Sequence, residues 1–169
     1  MKNAPNEQTF KEWLDAHRDI VLRTARAFAA TPDDQHDLVQ EILLQLWHST
    51  AFFTGQAKAS TWIYRVALNK ALNWQRAEKK HRARQVPILD AAPIRAPDEG
   101  FTLADLEGLY AAIRRLEKID RSLLLLYLDG VSYRDMAEAL GLSESNVGVR
   151  LNRAKKRLSE QMKEGKDEF

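Results

Sequence analysis

Apolar residues recur every three to four positions along nearly the whole chain, and two-residue alternation is almost absent. From Glu7 to Ala30, the positions Phe10, Trp13, Leu14, Val21, Leu22, Ala25 and Phe28 fall on one side of a helix. Thr31-Pro32-Asp33 interrupts that pattern, and a Pro followed by acids marks a new helix start, predicted over Asp33 to His48. Ser49 to Ala59 reads as a loop, and Ser60 caps a third helix predicted to run to about Arg84. Pro87, Pro93 and Pro97 rule out a continuous helix over Gln85 to Gly100. Helical spacing resumes over Thr102 to Leu116 and Asp120 to Asp129, where Gly130 closes it, and two further helices follow. The pattern predicts an all-α chain of two small helical domains, residues 1–84 and 101–169. A Pro-containing linker, residues 85–100, joins them.

The last two helices carry the clearest chemistry. Ser132 caps the first, with Asp135 three residues on, and Gly141 sits just past its end, where a left-handed residue is wanted. Ser143 caps the second, in which Val147, Leu151, Ala154 and Leu158 form one apolar stripe. Ser145, Val149, Asn152, Arg153 and Lys156 fall on the opposite side, flanked by Arg150 and Arg157. Helix, Gly turn and basic helix together have the form of a helix-turn-helix, whose second helix offers amides and guanidinium groups to base edges and phosphates. The plainer reading is a solvated basic helix at a domain end, and the capped helix before it argues against that.

The third helix is two-sided. Ile63, Tyr64, Ala67, Leu68, Ala71 and Trp74 occupy one side, and Trp62, Arg65, Asn69, Asn73, Arg76 and Lys80 the other. An aromatic ring with amides and cations can track a phosphate backbone and hold unstacked bases. Taken alone, Trp62 fits a core position equally well. The second helix has two apolar stripes, one with Leu38, Val39, Ile42 and Leu46 and one with Asp37, Gln40, Leu44 and Trp47. It either contacts its own core and a partner, or is enclosed in a bundle.

Composition adds bounds. With 169 residues, 44% hydrophobic and 30% charged, the chain fits soluble globular domains. No apolar run reaches transmembrane length, and the N-terminus lacks the apolar core of a signal peptide, so a cytoplasmic protein without membrane insertion is expected. With no Cys, thiolate metal sites and disulfides are excluded. The net charge of +2 hides a segregation: bases concentrate over Lys58 to Arg84 and again near the end, acids over Asp90 to Glu107. Two basic regions point to two contacts with one nucleic acid.

Asp37-Leu38-Val39-Gln40-Glu41, Ser60 to Asn69 and the helix-turn-helix ending Arg153-Ala154-Lys155-Lys156-Arg157-Leu158 occur in that order. In this the chain resembles the bacterial RNA polymerase sigma factors of the extracytoplasmic-function (ECF) group, over about residues 7 to 162. The resemblance implies binding to core RNA polymerase and promoter-specific initiation, with partners at the clamp helices of the largest subunit and the flap of the second-largest. Asp37, Gln40, Glu41, Leu43 and Trp47 would dock on the clamp helices. Phe53, Gln56, Lys58, Trp62, Arg65, Asn69, Asn73, Arg76 and Lys80 would melt and read the −10 element of promoter DNA. Ser145, Asn146, Val149, Arg150, Asn152, Arg153, Lys156 and Arg157 would read the −35 element. An anti-sigma factor often holds such proteins inactive. The family often has a basic residue where this chain has Gly148, and often a Pro near Asp120.

Two alternatives compete. A stand-alone helix-turn-helix regulator would share the C-terminal half, but the N-terminal half shows no receiver-like alternation of strands and helices. A nuclease would need a metal site. The four His residues lack ligand spacing, and Asp33, Asp34 and Asp37 are the usual acids of a helix N-terminus. No catalytic residue, metal or cofactor is therefore expected.

Overall fold

The computed structural model describes residues 3–74 and 100–167, which form seven α-helices and one short 3₁₀ turn. The helices are α1 (Glu7–Phe28), α2 (Pro32–Ser49), α3 (Ala59–Asn73), α4 (Leu103–Arg114), α5 (Lys118–Leu128), α6 (Tyr133–Leu140) and α7 (Glu144–Asp167). The all-α class follows as the spacing predicts.

In the first half, α1, α2 and α3 pack against one another. α1 begins at Asn6, whose side chain accepts the Thr9 amide, and it bends at His17 (φ −135°, ψ 18°). Before the bend, Phe10 meets Trp47 edge-on with ring centroids 5.4 Å apart, and Trp13 meets Phe53 at 5.2 Å. After it, Ile20, Val21 and Ala25 join Leu38, Ile42 and Leu46 of α2 and Ile63, Ala67 and Leu68 of α3 in the core. Each buried Leu or Ile side chain contributes about 1.5–3 kcal/mol of apolar burial.

The predicted third helix does not run to Arg84. It ends at Asn73, and Trp74 takes an extended backbone (φ −70°, ψ 125°) with its amide donating to the Ala71 carbonyl. The Trp74 ring packs on the core, and Lys118 Nζ donates to the Leu72 carbonyl at 3.4 Å, meeting one of the acceptors a helix end leaves open. Packing of Trp74 overrides a local sequence that would continue the helix. Arg76 and Lys80, expected on the same face, lie outside the described residues.

In the second half, Thr102 and Asp105 form a reciprocal capping box at the start of α4. α5 buries Leu123 to Leu126, and Gly130 (φ 72°) turns the chain toward α6. The halves meet along a seam, with α4 and α5 on α1 and α6 on α3. Asp129 pairs with Arg23 at 2.6 Å and accepts the Tyr64 hydroxyl. Glu107 takes Arg26 on one oxygen and Arg114 on the other, both at 2.8 Å, and Arg114 Nη1 donates to the Arg26 carbonyl at 3.0 Å. The Arg121 guanidinium lies over the Phe28 ring. Burial, then the Asp129 carboxylate, pushes the Tyr64 phenol well above its ordinary value. Hydrogen bonding from Arg26 holds the Glu107 carboxyl below the usual range.

Candidate nucleic-acid interface

The helix-turn-helix forms as its residues predict. Ser132 accepts the Asp135 amide at 3.1 Å, and Gly141 ends α6 in the left-handed region (φ 67°, ψ 34°). Ser143 accepts the Asn146 amide at 3.1 Å and starts α7. Val147, Leu151 and Ala154 are fully buried, which fixes the rotation of α7 about its axis. Ser145, Asn146, Asn152, Arg153, Lys156 and Arg157 are exposed, and Val149 is 51% exposed between them. The result is one continuous face of amides, cations and a branched apolar group. It suits guanine edges, phosphates and a thymine methyl.

Arg150 departs from this picture and is corrected. It points back to α5, with Nε 2.9 Å from Asp120 Oδ1 and Nη2 3.1 Å from Glu117 Oε2. Asp120 is 4% exposed, so its carboxylate requires a cationic partner, and Arg150 supplies it in preference to facing outward. Arg157, 4.0 Å from the same carboxylate, stays half exposed at the edge of the face. Lys155 sits over the Tyr127 ring at 3.6 Å and also ties α7 to α5.

Gly148 lies on the early turns of α7, beside the Tyr133 ring. A Cβ built there meets that ring at 3.6 Å, an ordinary contact. Gly148→Ala is therefore expected to gain about 0.5–1 kcal/mol of helix stability, read as a rise of a few degrees in Tm by thermal melting. A fall in Tm would show that the backbone at 148 needs the freedom of glycine.

In the first half, Arg65, Asn69 and Asn73 line the solvent side of α3, with Gln56 and Lys58 exposed in the loop before it. Trp62 and Phe53 are only partly accessible. Trp62 Nε1 donates to Ser49 Oγ at 3.2 Å, and its ring meets Phe53 at 5.5 Å, which in turn meets Trp13. These two rings border the polar face and belong partly to the core. Of the loop's two phenylalanines, the one delivered to solvent is Phe52, 67% exposed at the end of the 3₁₀ turn. A Phe-Phe doublet in a loop does not say which ring turns inward.

On α2, Asp37, Glu41 and Leu44 form an outward line, Leu44 at 58% exposure, with Gln40, Leu43 and Trp47 half-buried beside it. Leu44 joins the surface expected from Asp37, Gln40, Glu41, Leu43 and Trp47. Glu41 also reaches Lys70 of α3 at 2.6 Å. The acids at the start of α2 do not converge, since Asp34 is buried while Asp33 and Asp37 face solvent. Among the described residues, no group of three or more acids, His or Cys is placed to hold a metal ion. No helix among them is long and apolar enough to cross a membrane.

Residues 13–81 match the family described as Sigma-70 region 2, and residues 101–158 match Sigma-70, region 4. Among curated relatives, the RNA polymerase sigma-E factor of Streptomyces avermitilis is 29% identical over 90% of this chain and 84% of its own length. The ECF RNA polymerase sigma factor SigM of Mycobacterium tuberculosis is 27% identical over 92% and 78%. Among solved structures, the sigma factor RpoE bound to the anti-sigma factor NepR, from Bartonella quintana, superposes with a TM-score of 0.68 at 24% identity. It covers 91% of this chain and 96% of its own. CnrH bound to the cytosolic domain of CnrY superposes at 0.64 with 24% identity, over 94% and 90%. With a capped helix-turn-helix presenting a basic outer face, and both regions in order along one chain, the protein belongs to the ECF group of sigma-70-family RNA polymerase sigma factors.

Proposed function

We propose that this sigma factor docks on core RNA polymerase through α2 and reads the two promoter elements with two separate faces. Asp37, Gln40, Glu41, Leu43, Leu44 and Trp47 form the docking surface on the clamp helices of the largest subunit. Exposed apolar side chains ringed by carboxylates and an amide support it. Arg65, Asn69 and Asn73, with Gln56 and Lys58, follow the −10 strand, while Trp62 and Phe53 frame a place for an unstacked base. Asn152, Arg153 and Lys156, with Ser145, Asn146, Val149 and Arg157, enter the −35 major groove. Residues 1–84 and 101–169 act as the two reading domains.

The observation that carries this reading is the pair of outward polar faces on α3 and α7, each backed by its own buried stripe. The role is regulatory, with no reaction of its own, and is exercised in the cytoplasm where polymerase works. An anti-sigma factor is proposed as a further partner, since one solved neighbour, RpoE, was captured with the anti-sigma factor NepR.

The test is co-elution with bacterial core RNA polymerase and promoter-dependent run-off transcription. Binding with specific initiation is expected. Retained DNA binding without polymerase binding would move the chain to the stand-alone regulators. Asp37→Ala with Gln40→Ala should weaken core binding by about tenfold or more while leaving the helical signal and Tm near wild type. Unchanged affinity would remove α2 from the docking surface.

A further inference from the structure

From the inward set of Arg150 we infer that Asp120 and Glu117 act as a brake on sequence-independent DNA binding, holding the Arg150 guanidinium away from the phosphate backbone. The inference rests on the proposed reading of DNA by the outer face of α7.

Arg150 sits where a phosphate contact is within reach. At about 100° per residue it lies about 20° from Arg157 and about 60° from Arg153 around the helix. Both of those are exposed, so Arg150 occupies the flank of the outward face. Flank positions of a helix lying in a major groove face the phosphates that wall it. Arg150 turns the other way, onto the first turn of α5, and its side chain is left 29% exposed.

Burial of Asp120 accounts for one cation on that carboxylate, but not for the rest of the arrangement. Arg157 Nη1 stands 4.0 Å from the other oxygen, Oδ2, so α7 offers the buried acid a second guanidinium. The Glu117 side chain is 67% exposed and water can satisfy it, yet it takes a second nitrogen of Arg150. Two carboxylates on one guanidinium leave it no positive charge to offer a phosphate. The opposite edge of α7 loses a cation as well, since Lys155 Nζ lies over the Tyr127 ring, 3.6 Å from its centroid. α5 thus draws in a cation at each edge of the reading helix, and Arg153, Lys156 and Arg157 remain outward.

The consequence follows from the way DNA attracts proteins. Each phosphate neutralised releases counterions, adds affinity whatever the sequence, and steepens the fall of log K with log salt by about 0.9. A genome holds far more wrong sites than right ones, so every such contact keeps more of the factor on wrong DNA. The two carboxylates remove one of these contacts and leave Asn152 and Arg153 free for base edges.

The test is anisotropy of full-length factor on short, fluorescein-labelled duplexes of random sequence, across a series of salt concentrations. Wild type is expected to bind at low salt, and Arg153→Ala to bind less well. No binding, or no effect of Arg153→Ala, would overturn the reading of α7 as a DNA face and the inference with it. Asp120→Asn with Glu117→Gln keeps the side-chain shapes and the accepting oxygens but removes both charges. We expect this pair to bind random duplex roughly three- to tenfold more tightly, with a salt slope steeper by about 0.9. Loss of packing alone would lower Tm and leave the slope unchanged. Adding Arg150→Gln to the pair makes the whole network neutral, with no orphaned charge, and should return the slope to its wild-type value. An unchanged slope in the pair would show that the guanidinium does not reach a phosphate and overturn the brake. A steeper slope that survives Arg150→Gln would trace the gain to overall charge and overturn it equally. Should the pair melt below the measuring temperature, Glu117→Gln alone, which alters only an exposed side chain, is read in the same way. A gain of about twofold is then expected, and no gain overturns the inference.

Discussion

Leu151→Ala is expected to destabilise the C-terminal half by about 2–5 kcal/mol, the usual range for removing a fully buried leucine. Leu151 is 0% exposed and lies between Val147 and Ala154 on the stripe that seats α7 against α5 and α6. Its loss removes packing at the centre of that contact, and a small helical unit has few other apolar groups with which to fill the gap. Since whole domains are stable by only about 5–15 kcal/mol, the variant should show a marked drop in urea midpoint by circular dichroism. Binding to a −35 duplex should fall with it, because the outward face is positioned only through the inward one. A loss under about 1 kcal/mol would mean that the helices close over the missing methyl groups.

Arg153→Ala and Arg150→Ala, three residues apart on one helix, are expected to fail in opposite ways. Arg153 is exposed on the reading face and has no partner role in the fold that its position requires. Removing it should cost about 1–3 kcal/mol of −35 recognition, about 5- to 150-fold in affinity if the contact to a guanine edge is bidentate, with Tm unchanged. Arg150, 29% exposed, neutralises the buried Asp120 and bonds Glu117. Its removal should cost about 1–3 kcal/mol of stability, moderated because Arg157 already stands 4.0 Å from the same carboxylate. Thermal melts and anisotropy on a labelled duplex separate the two. A stable Arg150→Ala variant with lost DNA affinity would return Arg150 to the reading face.

That contrast shows what the sequence could and could not tell. The stripe Val147, Leu151 and Ala154 with its two capping serines was legible, because helical period and capping are local properties. The inward turn of Arg150 was not, because its partner lies thirty residues earlier and both residues have the composition of surface charge. The end of α3 at Asn73 carried no Gly or Pro, and was set by where the Trp74 ring found a place to pack. Phe52 and Phe53 were indistinguishable by type, and the 3₁₀ turn decided between them. The seam was wholly non-local: Asp129 looked like a helix-ending residue, and only the fold brings it to Tyr64 and Arg23.

All four tryptophans, at positions 13, 47, 62 and 74, fall in the first half, and the second half contains tyrosines but no indole. Trp13, Trp47 and Trp62 belong to the aromatic packing around Phe10 and Phe53, and Trp74 caps the helix whose end is held by Lys118 across the seam. The molecule thus has a built-in optical asymmetry. Fluorescence excited at the red edge of the indole band reports on one half alone, and melting of the other half appears only in the helical signal.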